Sequence, residues 1–404
     1  MQIIEAVYLG IFTIMLFSTN LWLVVYLFNR SKVHNDPELE YYPSLTFLVP
    51  AYNEENYISS CINSLLNMDY PDDKIDIIAI NDGSEDSTLE RMKEFGDKIE
   101  IIDKENSGKA SSMNYALQKV DTELVACMDA DSRPDKNYLK RMVSYFQEDG
   151  VEGVTPTMKI EEPETWAQRV IWMEYIYNLL LRKLYSVING QFVMPGPGSV
   201  YDTQYLKDIG GWDEETLTED MEIVFRMIDN GAKIRNSTNA FVRTHSPETF
   251  DGLFKQRSRW YRGNLNNSIK YRSFFFNPKH GNFGAIILPF NVIWAGLVLF
   301  IFAHFGFRLV KYVGTFASDL VTYGLVFSAP SISVQSLSLF HIFNIVLGLF
   351  GLSMIGLSVW ISETRLKNIE RKIDLGFFML FYAFLYSAFW IKALKDKFDG
   401  VTSW

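Results

Sequence analysis

The chain has 404 residues, of which 48% are hydrophobic and 15% aromatic, and its formal net charge is −10. This acidic balance argues against a nucleic-acid partner, because binding to phosphates requires a basic face. Cys61 and Cys127 lie in apolar stretches without zinc-type spacing or a disulfide framework. They are therefore predicted to be buried free thiols.

Apolar residues are concentrated near the two ends of the chain. Residues 6–28 carry no charge over a length that can cross a bilayer, and a basic flank follows at 29–32. A signal peptide fits poorly, because the apolar part is too long and Glu5 stands where Lys or Arg is typical. We predict an N-terminal transmembrane helix within residues 1–30, with the segment after it in the cytoplasm.

A second apolar region, at residues 286–393, is predicted to be a transmembrane bundle. Three runs in it carry no charge and are long enough to span: 286–307, 337–361 and 375–391. The stretch 312–336 contains Asp319 and Pro330, and a weak span, a re-entrant piece or an external loop are all compatible with it. Residues 394–404 are predicted to be a tail. Basic residues flank the last run on both sides, so the side of the carboxyl terminus stays open.

Residues 44–250 predict a water-soluble α/β domain in which strands and helices alternate. Strands are expected at 44–50, 75–80, 99–102 and 124–128. Asn53 and Ser84 are predicted to cap the helices after the first two strands, and Gly83 to relax the second turn. This alternation implies a mostly parallel sheet with ligands at the carboxyl ends of its strands.

Three acids, Asp82, Asp129 and Asp131, directly follow predicted strands. Asp82 alone is more typical of a helix cap than of a ligand site, and Asp-x-Asp alone is common in surface loops. Two carboxylates one residue apart, however, lean toward one opening and can hold a divalent cation. Lys109, just inside a helix start, adds a cation suited to a diphosphate. Together these residues predict a metal and polar-ligand site.

A helix predicted within residues 251–275 brings Gln256, Arg259 and Trp260 to one face, because they are spaced i, i+3 and i+4. Arg259 can reach a diphosphate, and Trp260 offers a flat apolar face to a sugar ring. An interfacial helix with a Trp anchor is the alternative interpretation.

In combination, these motifs resemble those of the processive family 2 glycosyltransferases of membranes, which include hyaluronan, chitin, cellulose and poly-N-acetylglucosamine synthases. The resemblance covers about residues 45–265, where six motifs occur in the family's order: Pro50-Ala-Tyr-Asn-Glu-Glu55, Asn81-Asp-Gly-Ser84, Gly108-Lys109, Asp129-Ala-Asp131, Thr218-Glu-Asp220 and Gln256-Arg-Ser-Arg-Trp260. The loop at 195–198, predicted to line the acceptor cleft, departs from the Ser-Gly pattern of hyaluronan and poly-N-acetylglucosamine synthases.

The resemblance implies a GT-A-like, Rossmann-related domain in the cytosol, inserted between α-helical transmembrane segments. Tyr52 and Asp82 would hold the uracil and ribose of a UDP-sugar, with Lys109 nearby. Asp129 would face the nucleotide and, with Asp131, hold Mg²⁺ or Mn²⁺. The ion would stabilise the charge that develops on the departing diphosphate.

The resemblance also assigns the acceptor side. Asp220 would be the general base that takes the proton from the attacking hydroxyl. Arg259 would contact the donor, whereas Trp260, Gln256 and Glu219 would contact the acceptor. One base and a direct displacement imply inversion, and hence a β-linked product from an α-linked donor.

Two further features are interpreted separately. Residues 163–188 predict an amphipathic helix that lies on the membrane, because apolar side chains recur every three or four positions. His245 is compatible with an additional site ligand or with a structural role.

The predicted function is transfer of a sugar from UDP-N-acetylglucosamine or UDP-glucose to a growing polysaccharide at the lipid bilayer, with export of the polymer. The alternative is a single addition to a lipid acceptor, such as a polyprenyl phosphate or a ceramide-like lipid. A non-catalytic scaffold or export channel is disfavoured, because Asp131, Asp220 and Trp260 are all present. No motif identifies the sugar.

Overall fold

The computed structural model describes residues 2–161, 163–324, 339–361 and 369–401. Its strands are β1 (Leu45–Ala51), β2 (Ile75–Asp82), β3 (Glu100–Lys104), β4 (Leu124–Cys127), β5 (Ser132–Pro134), β6 (Val151–Ile160), β7 (Val200–Asp202) and β8 (Lys233–Thr244).

The chain begins with the apolar helix α1 (Gln2–Phe28). The helices that follow it up to residue 270 are α2 (Arg30–His34), α3 (Ile58–Leu66), α4 (Thr88–Lys93), α5 (Lys109–Leu117), α6 (Tyr138–Val143), α7 (Trp166–Val187), α8 (Thr203–Asp208), α9 (Glu219–Asp229) and α10 (Phe250–Lys270). After α10 come α11 (Leu288–Tyr323), α12 (Leu339–Ile361) and α13 (Ile369–Phe398).

The strands form one mixed sheet in the order β3-β2-β1-β4-β7-β6-β8-β5. The amino-terminal half, from β1 to β4, is parallel and agrees with the predicted strands to within one or two residues. The other half contains antiparallel pairs of β7 with β4 and β6, and of β5 with β8. β6 and β8 pair in parallel. The prediction of a mostly parallel sheet therefore holds for four of the seven strand pairings, and the antiparallel pairs all involve β5 or β7, which are too short to be recognised as strands from sequence.

The predicted caps at Asn53 and Ser84 are wrong. Asn53 adopts a φ of 57°, and its side chain accepts a hydrogen bond from the Glu85 amide at 2.8 Å. Ser84 Oγ in turn accepts from the Asn53 amide at 3.0 Å. The helices begin later, at α3 and α4, because the two loops lie side by side and these side chains cross-link them. Gly83 does have the predicted left-handed backbone, with a φ of 71°.

Apolar clusters cover both faces of the sheet. One gathers α3 and α6 against β1 and β4, and Cys61 lies buried within it. The other contains buried Cys127, side chains of α7 and α9, and Trp22 and Tyr26 from α1. Both cysteines are free and buried, which confirms that prediction.

Helix α7 lies between the sheet and the apolar helices. It begins with a capping box formed by Thr165 and Gln168, and packs on β6 and β8. Its other contacts are with α1, α12 and α13, including a ring contact of Trp22 with Tyr185 at 4.9 Å. The predicted amphipathic helix is thus observed as the layer between the domain and these helices.

Within the described residues, two helical stretches are long and apolar enough to cross a membrane: Ala6–Phe28 and Phe283–Tyr323. Ile373–Met379 and Phe381–Phe398, which meet at a bend of 52°, would make a third if they form one span. These helices indicate a membrane protein. The ambiguous stretch 312–336 is helical up to Tyr323, and its residues 325–336 lie outside the described part.

Helix α13 packs against α10. Tyr261 stacks on Trp390 with ring centroids 4.9 Å apart, and Ser258 Oγ donates to Asp396 Oδ2 at 2.7 Å. Residues 394–398, which are predicted to be a tail, continue α13. The carboxyl-terminal helix and α10 are therefore one packed unit.

Candidate active site

The loops after β2 and β3 enclose the carboxylate of Asp82. Lys104 Nζ donates to Asp82 Oδ1 at 2.6 Å, and the amides of Ser107 and Gly108 donate at 3.0 and 2.9 Å. Burial alone would raise the pKa of Asp82, but the hydrogen bonds from Lys104 and Ser107 outweigh it and hold the pKa below its ordinary value. Asp82 is therefore a fixed anion at the edge of the crevice.

A second charged pair joins the loop after β4 to the start of α5. Lys109 Nζ lies 2.5 Å from Asp129 Oδ1 and 3.5 Å from Glu219 Oε1. The loop at 195–198 passes directly over this pair, because a Cβ at Gly196 would come within 2.3 Å of Lys109 Nζ. A side chain at position 196 would therefore displace the lysine ammonium from its position beside Asp129.

Asp131 is half-buried like Asp129, and Ser132 Oγ donates to its Oδ1 at 2.9 Å. Burial, followed by repulsion from Asp129, raises its pKa. Glu54, from the loop after β1, faces the same acids. Burial and the charges of Asp131 and Asp129 raise the pKa of Glu54 to about 7. The crevice therefore contains more negative charge than its own cations neutralise.

This surplus of carboxylate oxygens suits a divalent cation. Across the described residues, no three His, Cys, Asp or Glu side chains converge as a complete set of metal ligands. Mg²⁺ is commonly bound by one or two carboxylates together with substrate phosphates, and Asp129 and Asp131 are the residues here that could make that contribution. The hard oxygen donors of the pair fit Mg²⁺ or Mn²⁺.

Asp220 occupies the first turn of α9, on the other side of Lys109. Burial and the neighbouring charge of Glu219 raise its pKa to about 7, against the opposing effects of Lys109 and Arg259. A carboxylate that gains and loses its proton near neutral pH has the acidity of an effective general base. Glu219, predicted to contact the acceptor, lies beside Lys109 in this structure.

Helix α10 brings its signature residues toward the same acids. Arg259 is close enough for its charge to act on Asp220. Gln256 and Trp260 both contact a residue between them, Arg257, which donates to Gln256 Oε1 at 2.9 Å and lies 4.1 Å from the Trp260 ring centroid. Of the three predicted side chains of this helix, Arg259 therefore acts on the proposed base, and Gln256 and Trp260 are joined to each other through Arg257.

The remaining predicted residues lie at the rim. Tyr52 is 47% exposed, as a ring that is free to stack on a ligand would be. His245 Nε2 lies 3.4 Å from Glu161 Oε2, and its ring lies 4.3 Å from that of Tyr57. These contacts give His245 a structural partner on the Asp131 side of the crevice.

Several site residues are missing from the sequence-based prediction. Glu54 falls inside a quoted motif, and its position after a strand is the signal that marks it. Lys104 and the Glu174 partner of Arg257 carry no such signal, because their contacts join segments distant in the sequence.

Residues 43–263 match the family model described as glycosyltransferase like family 2, which covers more than half of the chain. The chain therefore belongs to this family and is a glycosyltransferase. The predicted resemblance is confirmed.

Similar proteins indicate which kind of glycosyltransferase this chain resembles. The poly-beta-1,6-N-acetyl-D-glucosamine synthase of Staphylococcus aureus strain MSSA476 is 30% identical over 283 residues, or 68% of this chain and 67% of the relative. The synthase of the same description from Staphylococcus epidermidis is 26% identical over 391 residues, or 93% of this chain and 90% of the relative. The chain is similar to both despite its Pro-Gly-Pro-Gly sequence at 195–198.

A solved structure shows the fold. A mannosyltransferase from Pyrobaculum calidifontis, in complex with GDP-Man and Mn²⁺, superposes with a TM-score of 0.58 at 16% identity. The match covers 97% of this chain and 98% of that one, including the apolar helices. The fold is GT-A-like, as predicted, with apolar helices flanking the catalytic domain.

Proposed function

We propose that this protein is an inverting, metal-dependent polysaccharide synthase. It transfers N-acetylglucosamine from UDP-N-acetylglucosamine to a growing β-linked polymer and passes the polymer across the membrane. The observation that carries the proposal is the convergence of Asp129, Asp131 and Asp220 beside the helix that bears Trp260. The descriptions of the relatives from Staphylococcus support N-acetylglucosamine as the sugar.

The acceptor hydroxyl loses its proton to Asp220 as its oxygen attacks the anomeric carbon. Because the pKa of Asp220 is about 7, its carboxylate is ionised in a large fraction of the protein molecules at neutral pH. It is also basic enough to accept the proton. The bond to the diphosphate breaks on the opposite side of the ring. One displacement inverts the anomeric centre, which gives a β-linkage from an α-linked donor.

The departing UDP carries negative charge on its β-phosphate. Lys109 and Arg259 are cations whose charges act on Asp220, and both would stabilise that charge. Asp129 and Asp131 would hold Mg²⁺ or Mn²⁺, which supplies further charge stabilisation to the diphosphate when bound. Asp82 and Tyr52 would bind the ribose and the uracil.

The packing of α10 on α13 supports a link between polymerisation and export. Trp260 lies one residue before Tyr261, which stacks on Trp390 of the carboxyl-terminal helix. An acceptor sugar stacked on Trp260 would therefore lie directly beside the apolar helices. Each addition would move the chain by one sugar toward them.

The test is to incubate purified protein in detergent with a panel of radiolabelled UDP-sugars and Mg²⁺, Mn²⁺ or EDTA. We expect a ladder of polymer from UDP-N-acetylglucosamine with either ion and none with EDTA. Vesicles containing the protein should accumulate polymer in the compartment opposite to the added donor. Undiminished synthesis in EDTA would contradict metal dependence.

The same assay separates polymerisation from a single addition to a lipid. A single labelled product that forms only when a polyprenyl phosphate or ceramide-like lipid is supplied would replace the proposed polymer with a glycolipid. If UDP-glucose is the only donor that gives labelled product, the proposed sugar would be glucose and the proposed mechanism would be unaffected.

A further inference from the structure

Arg257 is the largest fully buried side chain in the described part of the structure, with an exposed fraction of 0%. It belongs to α10, between Gln256 and Trp260, to which the family resemblance gives a role at the acceptor. Its NH1 donates to Gln256 Oε1 at 2.9 Å, and its guanidinium carbon lies 4.1 Å from the centroid of the Trp260 ring. One guanidinium thus contacts both side chains.

The counter-ion of Arg257 comes from α7. Glu174, which is 7% exposed, accepts hydrogen bonds through Oε2 from Arg257 Nε at 3.2 Å and from NH2 at 2.9 Å. Glu174 follows the capping box of α7 by about two turns, on the helix that separates the sheet from the apolar helices. The pair therefore ties the signature helix to the layer under the membrane helices.

We propose that Glu174 and Arg257 are positioning residues for the acceptor site. The fixed guanidinium orients the Gln256 amide and the Trp260 ring, so that both meet the terminal sugar of the polymer. The inference rests on the proposed function and deepens it by naming what holds the acceptor platform in place.

The chemistry of arginine explains why this residue type is needed. A planar guanidinium can stack on an aromatic face while its N–H groups point sideways to a carboxylate and an amide. A lysine ammonium is a point charge that can keep the ion pair but cannot stack and fork at once. Without Glu174 the buried charge has lost its fixed partner and turns toward other acceptors.

The test compares Arg257→Lys and Glu174→Gln with the wild type. Purified protein releases UDP from UDP-N-acetylglucosamine while a soluble N-acetylglucosamine oligosaccharide is titrated as acceptor. We expect each variant to raise the KM for the oligosaccharide about tenfold, as for loss of one well-placed polar contact. The KM for the donor should remain near the wild-type value, since no donor contact is removed.

A charge-swapped protein, Glu174→Arg with Arg257→Glu, separates positioning from structural support. The swap restores a buried ion pair. The unfolding temperature of the double variant should therefore be closer to that of the wild type than the unfolding temperature of Glu174→Arg or Arg257→Glu alone. A glutamate at position 257 cannot stack on Trp260, so the raised oligosaccharide KM should persist. Recovery of both properties would mean that the pair is only structural.

The matched control is Lys255→Gln, which breaks an ion pair with Asp251 on the same helix. That pair is 2.7 Å long, with side chains 74% and 76% exposed. The Lys255→Gln variant should have the same KM for the donor and for the oligosaccharide as the wild type. If Arg257→Lys unfolds in detergent, Glu174→Gln gives the same measurement with the arginine intact.

An oligosaccharide KM that is unchanged in a folded Arg257→Lys or Glu174→Gln protein overturns the inference. Failure of the proposed function gives a different result, because UDP release by the wild type would then not respond to the oligosaccharide at all.

Discussion

The proposed donor side and the proposed acceptor side of the crevice are built in different ways. The proposed donor side lies at the carboxyl ends of β1, β2 and β4. Asp82 is the last residue of β2, and Glu54, Asp129 and Asp131 follow β1 or β4 within four residues. The acceptor side consists of α7, α9 and α10, whose contacts join residues far apart in the sequence, such as Glu174 with Arg257. The positions of the donor-side acids follow from the order of the strands, whereas the positions of the acceptor-side residues follow from the packing of the helices.

This difference predicts different responses to mutation. A change on the donor side should weaken nucleotide binding, because each acid acts from a short loop on its own strand. A change on the acceptor side should impair transfer and leave nucleotide affinity intact. Four experiments test this distinction.

The largest effect is expected for Asp220→Asn. Loss of general-base catalysis should lower the transfer rate by about 10²–10⁴-fold. The affinity for UDP, measured by calorimetry, should stay close to that of the wild type. Glu215→Gln is the control, since Glu215 is exposed just before α9 and should be fully active. Normal turnover of Asp220→Asn would remove Asp220 as the base.

The next effect is expected for Asp131→Asn, on the donor side. Loss of a residue that only supports a metal ligand lowers metal affinity by about 10-fold or more. Loss of a direct ligand should lower the metal affinity by at least as much. UDP affinity should fall in Mg²⁺ or Mn²⁺ and remain unchanged in EDTA. Glu105→Gln, an exposed acid after β3, is the control. An unchanged affinity in the presence of either ion would exclude Asp131 as the ligand.

A smaller effect is expected for Gly263→Ala on α10. An added Cβ would come within 2.3 Å of Thr218 Oγ1 and 2.4 Å of its Cγ2, and would push Thr218 and the adjoining Asp220 away. Because small displacements of catalytic groups are costly, we expect about a tenfold loss of transfer with UDP affinity retained.

Gly314→Ala is the control for this change, since a Cβ at Gly314 on α11 meets nothing within 4 Å among the described residues. Alanine is otherwise the better helix former, by about 1 kcal/mol. Higher thermal stability and full activity of Gly263→Ala would show that the contact does not position Asp220.

Close to neutral pH the smallest effect is expected, from the pH dependence of the wild type. Because the pKa of Asp220 is raised to about 7, the base is ionised above that pH and protonated below it. Transfer should therefore fall about tenfold per pH unit below 7. The inflection should be absent from the residual activity of Asp220→Asn. A rate that is constant from pH 8 to pH 5.5 would contradict an essential base with this pKa.

Several elements could be predicted because their signals are local. The apolar strands β1, β2 and β4 and the acids that follow them are recognisable from short stretches of sequence. The spacing of Gln256, Arg259 and Trp260 predicts a common helix face, and the uncharged runs predict apolar helices. The predicted caps at Asn53 and Ser84 were wrong because their contacts are not local. Each of the two side chains forms a hydrogen bond with the loop that carries the other.

The sequence by itself determined the family, the parallel half of the sheet, and the acids at its strand ends. Those features depend on hydrophobic pattern and chain order, which act over a few residues. Only the tertiary structure decided that Lys104 holds Asp82, that Gly263 leaves room for Thr218, and that Glu174 fixes Arg257. Such contacts depend on the distance between packed elements, which no local pattern specifies.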